Sequence, residues 1–315
     1  MPIDTSRLRG RAVLRDPDEG HRAATNLELF FDLVFVVAIG RMAATLHHQL
    51  GAGHVGEALV GFAALFFGIW WSWVDFTWFS SAHDADDVPH RLLALVQMTG
   101  ALVIAAGVTR AAEHDFAIVT YGYLIARVGL VWSWLRVARD QPEDRRRALR
   151  YAAGLAGLQI LWLGRLLLQD ASWWWLPFVV LVVGELAVPS WAEAAGDRPR
   201  FHAGHIEERY GLFVIILLGE TILSSAGGFQ TAFDDGGLTV ELAAVGLGGL
   251  VSAFAMWWLY FDNPGHLAPD PGSVWRWAYA HVLVFAAIAA TGAGVALEAE
   301  VLGGHGEGHR SERIA

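Results

Sequence analysis

The sequence contains no cysteine, which excludes disulfide bonds, thiolate metal sites and a cysteine nucleophile. It contains no lysine either: all 22 basic residues are arginine, so a Schiff-base lysine is excluded as well. Charged residues make up 17% of the 315 residues, whereas a soluble domain carries about 25%. No P-loop, G-x-S-x-G or dinucleotide-binding pattern occurs, and we expect no cofactor.

Long apolar stretches dominate the chain. Hydrophobic residues make up 55% of it, and the mean hydropathy is +0.40. Stretches of about 20 apolar residues recur, and each is long enough to cross a bilayer as a helix. The pattern predicts an all-α, polytopic transmembrane bundle of about nine spans, at residues 27–48, 57–79, 90–109, 116–137, 148–168, 172–190, 206–226, 240–261 and 274–299.

The arginines are distributed unevenly between the two sides that nine spans would create. The segments on the same side as the N-terminus hold most of them, and the stretch 136–150 alone holds a basic cluster. The positive-inside rule therefore predicts a cytoplasmic N-terminus. We expect a cytoplasmic tail at 1–25, a single transmembrane domain at 26–300 and a flexible Gly/His tail at 301–315.

The first and last thirds of the predicted domain resemble one another. A shift of 187 residues places Trp70-Trp71 on Trp257-Trp258 and Asp75 on Asp262. We interpret 27–110 and 206–299 as a parallel three-helix repeat with an insert at 116–190. The alternative is that apolar helices align by chance.

Acidic residues stand inside the apolar spans. Glu28 and Asp32 are four residues apart, so both carboxylates lie on one face of one helix. A carboxylate inside a membrane span is costly unless it is paired or hydrated, so each is a candidate functional residue. The functional interpretation is a cation- or proton-handling vestibule; the structural one is a ring of ion pairs that fixes helix ends. The candidate network is Glu28, Asp32, Asp75, Arg91, Glu208, Arg209 and Asp262.

Two further charges occupy related positions in the repeat. Arg41 in the first span corresponds to Glu220 in the seventh, and the two could meet and neutralise each other. We expect Asp32 and Glu220 to be gating or coupling acids, with Arg41, Arg91 and Arg209 as counter-charges. Arg127 and Arg165 are expected to face a partner acid such as Glu185 in a structural role.

Two loops carry the pattern H-x3-D, as His83 with Asp87 and His266 with Asp270. Mixed nitrogen and oxygen ligands of this kind can bind a metal ion. Acidic loops beside a membrane are more often only solvated, so we expect no metal here.

Four motifs resemble the low-temperature-requirement protein A (LtrA) family of bacterial membrane proteins. They are ELFFDLVFVVAI, WWSWVDFTWFSSAHDADDVPHR, HIEERYGLFVIILLGETIL and MWWLYFD, and the resemblance covers about residues 24–300. It implies an integral membrane protein linked with growth in the cold, and it implies no particular reaction. The positions that match the family's motifs are Glu28, Phe31, Asp32, Trp71, Asp87, Arg91, Glu208, Arg209, Gly211, Gly219 and Glu220.

Three functions are open at this point. We rank first a transporter of a small solute, ion or proton that uses buried carboxylate–arginine pairs. The second is a membrane-embedded enzyme acting on a lipid or isoprenoid, with the H-x3-D loops as its site. The third is a non-catalytic membrane stress factor. The expected partners are the lipid bilayer and a small ion or solute, with no nucleic acid; oligomerisation is left open.

Overall fold

The structure is a computed structural model that describes residues 10–12, 22–83, 86–168, 171, 173, 175–196, 201–262 and 271–314, the last range without the side chains of 271–272 and 304–314. These residues form nine α-helices, one 3-10 turn and no strand. The α-helices are α1 Asn26–Gly51, α2 Val55–His83, α3 Val88–Ala112, α4 Ala117–Asp140, α5 Arg145–Arg165, α6 Trp175–Glu193, α7 Ala203–Gly236, α8 Val240–Asp262 and α9 Pro271–Ile314.

Each of the nine helices in the described part of the chain is long and apolar enough to span a bilayer. The all-α class and the prediction of nine spans are therefore confirmed. The internal repeat stays a prediction. The tryptophans that correspond in its two copies differ in burial: Trp70 and Trp71 are buried, whereas Trp257 and Trp258 are exposed.

The ends of several helices follow from local sequence. Thr25 and Glu28 form a capping box at the start of α1: the Thr25 nitrogen donates to Glu28 Oε2 at 2.8 Å and the Glu28 nitrogen to Thr25 Oγ1 at 3.2 Å. Asp87 caps α3 by accepting a hydrogen bond from the His90 nitrogen at 2.9 Å. The backbone of α9 continues through the segment predicted as a Gly/His tail.

The chain divides into two compact units. Unit 1 contains residues 1–35 and 68–209, and unit 2 contains 36–67 and 210–315. In unit 1, α3, α4, α5 and α6 pack against one another in chain order. The core between α4 and α5 includes the stacked rings of Trp134 and Tyr151, whose centroids are 4.1 Å apart.

The α3–α4 contact in unit 1 depends on glycine. A Cβ atom on Gly100 would lie 2.5 Å from the Ala126 nitrogen and 2.6 Å from the Gly122 oxygen, so only a hydrogen atom fits there. A Cβ atom on Gly107 or Gly129 would lie 2.7 Å from the nearest atom of the facing helix. Small residues let helix backbones approach in a membrane, and α3 and α4 use that contact over most of their length.

In unit 2, α7 extends ten residues beyond the predicted end of the seventh span at 226. The predicted end at 226 is too early because α7 keeps a packing partner beyond it. Gly228 lies against the Ala296 backbone and Gly303 lies against Ala232, so α7 and α9 stay in contact to the end of α7. Thr221 Oγ1 also donates to the Ile288 oxygen at 2.9 Å.

Candidate functional site

The first candidate site in unit 1 begins with the capping box of α1. Glu28 is fixed by the box, and Asp32 follows one turn later on the same face, as the sequence predicts. Both carboxylates are buried, with 1% and 0% exposure, and they meet the buried guanidinium of Arg209 at the start of α7. We call Arg22, Glu28, Asp32, His205 and Arg209 the Arg209 cluster.

Arg209 binds both acids. Its Nη2 donates to Asp32 Oδ1 at 2.5 Å and its Nε to Asp32 Oδ2 at 3.2 Å, which is a two-point ion pair. Its Nη1 lies 3.1 Å from Glu28 Oε1. Trp73 Nε1 adds a hydrogen bond to Asp32 Oδ1 at 2.6 Å. Of the three arginines predicted as counter-charges, Arg209 is therefore the one that the structure places beside Asp32.

The Arg209 cluster is balanced in charge. Arg22 Nη2 lies 3.6 Å from Glu28 Oε1 and donates to the Ser80 oxygen, while Arg22 Nη1 donates to the Ser81 oxygen. Two carboxylates therefore face two guanidinium groups. Ser80 Oγ donates to Glu28 Oε1 at 2.7 Å, and His205 Nε2 lies 3.2 Å from the same oxygen. Charges matched this closely hold α1, α2 and α7 in register within unit 1.

A second buried site lies midway along α4 and α6. Arg127 contacts Asp75 of α2 and donates through Nη2 to the hydroxyl of Tyr123. The same Nη2 lies 3.4 Å from Glu185 Oε2, which confirms the predicted Arg127–Glu185 pair. Gln159 Nε2 and Trp162 Nε1 of α5 donate to Glu185 Oε1 at 3.2 and 3.0 Å. We call Asp75, Tyr123, Arg127, Gln159, Trp162 and Glu185 the Arg127 cluster.

The Arg127 cluster has more acids than bases. The side chains of Arg127 and Glu185 are 1% and 0% exposed, whereas that of Asp75 keeps 12%. Two carboxylates share one guanidinium. Among the described residues, Glu185 Oε2 has the ion-pair contact with Arg127 but no hydrogen bond, and Gln159 Oε1 has no hydrogen-bond partner. A buried acceptor without a donor is costly, so a proton or a cation would be stabilised at this position.

The residues considered for a metal site have other partners. His83 Nε2 lies 3.2 Å from Asp144 Oδ2, and its ring packs on Phe79 and Trp134. Asp87 caps α3 and pairs with Arg136. His266 and Asp270 lie outside the described residues. Within the described ranges, no group of three His, Asp or Glu side chains is arranged to hold a metal ion.

Glu220 and Arg41 of unit 2 do not form the expected ion pair. Arg41 is exposed, whereas the half-buried Glu220 carboxylate lies where a Cβ atom on Gly40 would stand. Arg41 is the residue after Gly40, so its side chain leaves α1 about 100° around the helix from the side that faces Glu220. Neither side chain has an ion-pair partner among the described residues.

The remaining candidates are peripheral. Arg91 is an exposed residue of α3 that pairs with Asp86 at 2.7 Å. Glu208 accepts a hydrogen bond from the Ala24 nitrogen at 3.3 Å, which fixes the chain before α1. Asp262 is the exposed last residue of α8. Asp75 lies in the Arg127 cluster and not with Glu28 and Asp32.

Sequence reasoning missed five members of the two clusters, Arg22, Tyr123, Gln159, Trp162 and His205, and also the indole of Trp73 beside Asp32. Trp73, Tyr123, Gln159 and His205 each bind a buried charge. Gln159 carried a usable signal, because an amide inside an apolar span needs partners just as an acid does. Trp73 and Tyr123 carried none, since aromatic residues are common throughout the chain.

Comparison with known proteins identifies the family. Residues 23–315 match the family described as bacterial low temperature requirement A protein (LtrA). An uncharacterised protein from Rhizobium meliloti (strain 1021) is 28% identical over 265 residues, which cover 82% of this chain and 63% of that relative. The chain therefore spans less than two thirds of the curated relative that it matches. No solved structure matches. With nine apolar helices in its described part and a family match over nearly its whole length, the chain is a multi-pass membrane protein that belongs to the LtrA family.

Proposed function

We propose that the protein moves protons, or a small cation in their place, across the bacterial plasma membrane. Asp75 and Glu185 are the carriers, and Arg127 is their shared counter-charge. The observation that supports this proposal is the charge imbalance of the Arg127 cluster, in which two buried carboxylates face one guanidinium. The proposal also places the N-terminus in the cytoplasm, following the distribution of arginine.

The imbalance matters because of the cost of a bare charge in a membrane interior. With Asp75 and Glu185 both ionised, the cluster carries one excess negative charge at a buried position. A proton on one carboxylate removes that charge, and a bound cation compensates it. Either event converts a strained state into a stable one, which is the behaviour required of a carrier site.

Asp75, Glu185 and Arg127 have different roles in the proposed transport. Asp75 is the more exposed acid, so a proton enters or leaves through it. Glu185 is the buried acid, and the Gln159 and Trp162 donors stabilise it when ionised. Arg127 contacts both carboxylates through different nitrogens and keeps them within reach of one proton.

The acids ranked first from sequence take supporting positions in this proposal. Asp32 is matched in charge by Arg209, so its replacement is expected to affect stability more than flux. Glu220 lies near the middle of α7 beside Gly40, without an ion-pair partner among the described side chains. We propose it as a further protonatable group in unit 2.

Reconstitution into liposomes tests the proposal. Proton flux under an imposed pH gradient is followed with an internal pH dye, and the assay is repeated over a panel of monovalent and divalent cations. We expect flux from the wild type and at least a tenfold loss for Asp75→Asn and Glu185→Gln. Flux is also measured for Asp32→Asn and Glu220→Gln, so that the two acids ranked first from sequence can be compared with Asp75 and Glu185. Asp115→Asn, at a partly exposed acid that pairs with Arg110, is the matched control.

Absence of flux from folded wild-type protein under every condition would exclude ion transport. The second candidate, a non-catalytic membrane factor, would then be favoured, and one observation already supports it. The Arg209 cluster is fully buried and balanced in charge, as expected for a structural lock between helices.

A further inference from the structure

A large cavity opens at one end of the α3–α4 pair in unit 1. Its volume is about 940 Å³, and it lies between the first turns of α3 and the last turns of α4. Gly10 and Arg11 close it on a third side. Trp132, its deepest residue on α4, is eight residues from the helix end, or about 12 Å. The cavity therefore extends from the end of the spans into the depth of the apolar layer.

Arginines surround the mouth of the cavity. Arg11, Arg136 and Arg139 line it together with a single carboxylate, Asp140. Arg136 is neutralised by Asp87 behind the wall. Arg139 is 73% exposed and lies 3.8 Å from Asp140 at its nearest atom. Arg11, Arg136 and Arg139 together with Asp87 and Asp140 give the mouth a net charge of +1.

Arg11 is held in place by its neighbours along the chain. Arg136 Nη2 donates to the Gly10 oxygen at 2.8 Å, and Gln141 Nε2 donates to the Ala12 oxygen at 2.5 Å. The Ala12 nitrogen donates to Asp140 Oδ2 at 3.1 Å. The backbone on both sides of Arg11 is thereby fixed against α4. Its guanidinium has no ion-pair partner among the described residues, so it is available to a ligand.

The inner wall of the cavity is apolar and accessible. Trp132 is 60% exposed and Leu92 is 56% exposed, and Leu93 and Leu135 complete the wall. Exposed apolar side chains at this depth contact lipid chains, whereas arginine side chains near helix ends reach the headgroup region. The site thus presents basic groups outside and an apolar wall inside.

We propose that this cavity binds one anionic phospholipid. The phosphate lies between Arg11 and Arg139, and an acyl chain lies against Trp132 and Leu92. The net charge of +1 complements a headgroup with one negative charge, and basic pockets between helices favour anionic lipids. The apolar wall would contribute nothing to a free phosphate ion, so the lipid is the ligand that uses both halves of the site.

Native mass spectrometry of the full-length protein in detergent tests this. The protein is titrated with phosphatidylglycerol, with phosphatidylcholine and with glycerol phosphate, which carries the headgroup charge without chains. We expect phosphatidylglycerol to bind preferentially and glycerol phosphate to bind poorly. Arg11→Gln with Arg139→Gln should lower the phosphatidylglycerol affinity by about fivefold per arginine. Trp132→Ala should weaken the binding of both phosphatidylglycerol and phosphatidylcholine.

Arg110→Gln is the matched control, because Arg110 is an exposed arginine at the opposite end of α3. Each variant must elute from a size-exclusion column as the wild type does and keep its helical circular dichroism. The double variant Arg11→Lys with Arg139→Lys keeps the charge and should retain most of the preference for phosphatidylglycerol. Three results would overturn the proposal: unchanged binding in the double Gln variant, an equal loss in Arg110→Gln, or glycerol phosphate binding as tightly as the lipid.

Discussion

Arg209 of α7 donates two hydrogen bonds to Asp32 of α1, from Nε to Oδ2 at 3.2 Å and from Nη2 to Oδ1 at 2.5 Å. The geometry uses the planar fork of the guanidinium, which an ammonium group cannot reproduce. Both side chains are 0% exposed, so neither can turn to water when its partner is lost. The pair therefore leads to a prediction about stability.

Arg209→Gln is expected to lower the free energy of unfolding by about 3–5 kcal/mol, because it leaves Asp32 and Glu28 with too little positive charge. Arg209→Lys should recover only part of that loss, since it keeps the charge without the fork. The measurement is denaturant or thermal unfolding of purified protein in micelles. Glu57→Gln, at an exposed acid in the first turn of α2, is the control and should change little. Equal stability of the Lys variant and the wild type would argue against the two-point pair.

The Arg127 cluster predicts an asymmetry between its acid and its base. Arg127→Gln should destabilise by about 3–5 kcal/mol because two buried carboxylates lose their counter-charge. Glu185→Gln removes the excess charge and keeps an oxygen for Trp162, so it should be neutral or stabilising. The double variant should be more stable than Arg127→Gln alone, with a coupling of about 1–3 kcal/mol. A four-protein unfolding cycle measures this, and simple additivity would contradict it.

The glycine contact between α3 and α4 predicts different outcomes for two chemically identical substitutions. Gly100→Ala forces a methyl group into the backbone of α4 and should cost about 1–3 kcal/mol. Gly61→Ala meets nothing within 4 Å and should be neutral or slightly stabilising, because alanine favours helix. Melting temperatures of the two variants decide the matter. A loss for Gly61→Ala as large as that for Gly100→Ala would show that the contact is not specific.

Orientation in the membrane can be tested directly because the chain has no cysteine. Each introduced thiol is then the only one. Glu113→Cys lies in the exposed turn before α4, and Glu143→Cys lies in the exposed turn after it. With a cytoplasmic N-terminus, a membrane-impermeant maleimide should label Glu113→Cys in intact cells and Glu143→Cys only after lysis. The wild type should remain unlabelled, and the reversed pattern would place the N-terminus outside.

The sequence predicted well whatever depends on one helix alone. Apolar length is sufficient to count spans, and the i, i+4 spacing of Glu28 and Asp32 is sufficient to place both on one face. The capping box at Thr25 was also readable from T-x-x-E, although it was overlooked. The pairing of Arg127 with Glu185 was predicted because a midspan arginine must find an acid.

Contacts between helices were harder to predict because they depend on how each helix is rotated. Lipid-facing and protein-facing sides are both apolar, so the hydrophobic pattern specifies rotation only weakly. The expected Arg41–Glu220 pair failed for this reason, since it is Gly40 that faces Glu220. His83 and Asp87 were grouped by spacing, yet Asp144 and Arg136 are their partners. Neither partner was visible from the pattern that suggested the site.

The glycines of α3 and α4 have a consequence for temperature. Where two backbones approach so closely, Cα–H groups come within reach of carbonyl oxygens, and dispersion between main-chain atoms adds to those weak bonds. Neither force depends on expelling water from apolar surface, which is the term that weakens on cooling. The α3–α4 pair is therefore expected to retain its association when the bilayer is cold, and with it the position of α4, the helix that carries Arg127.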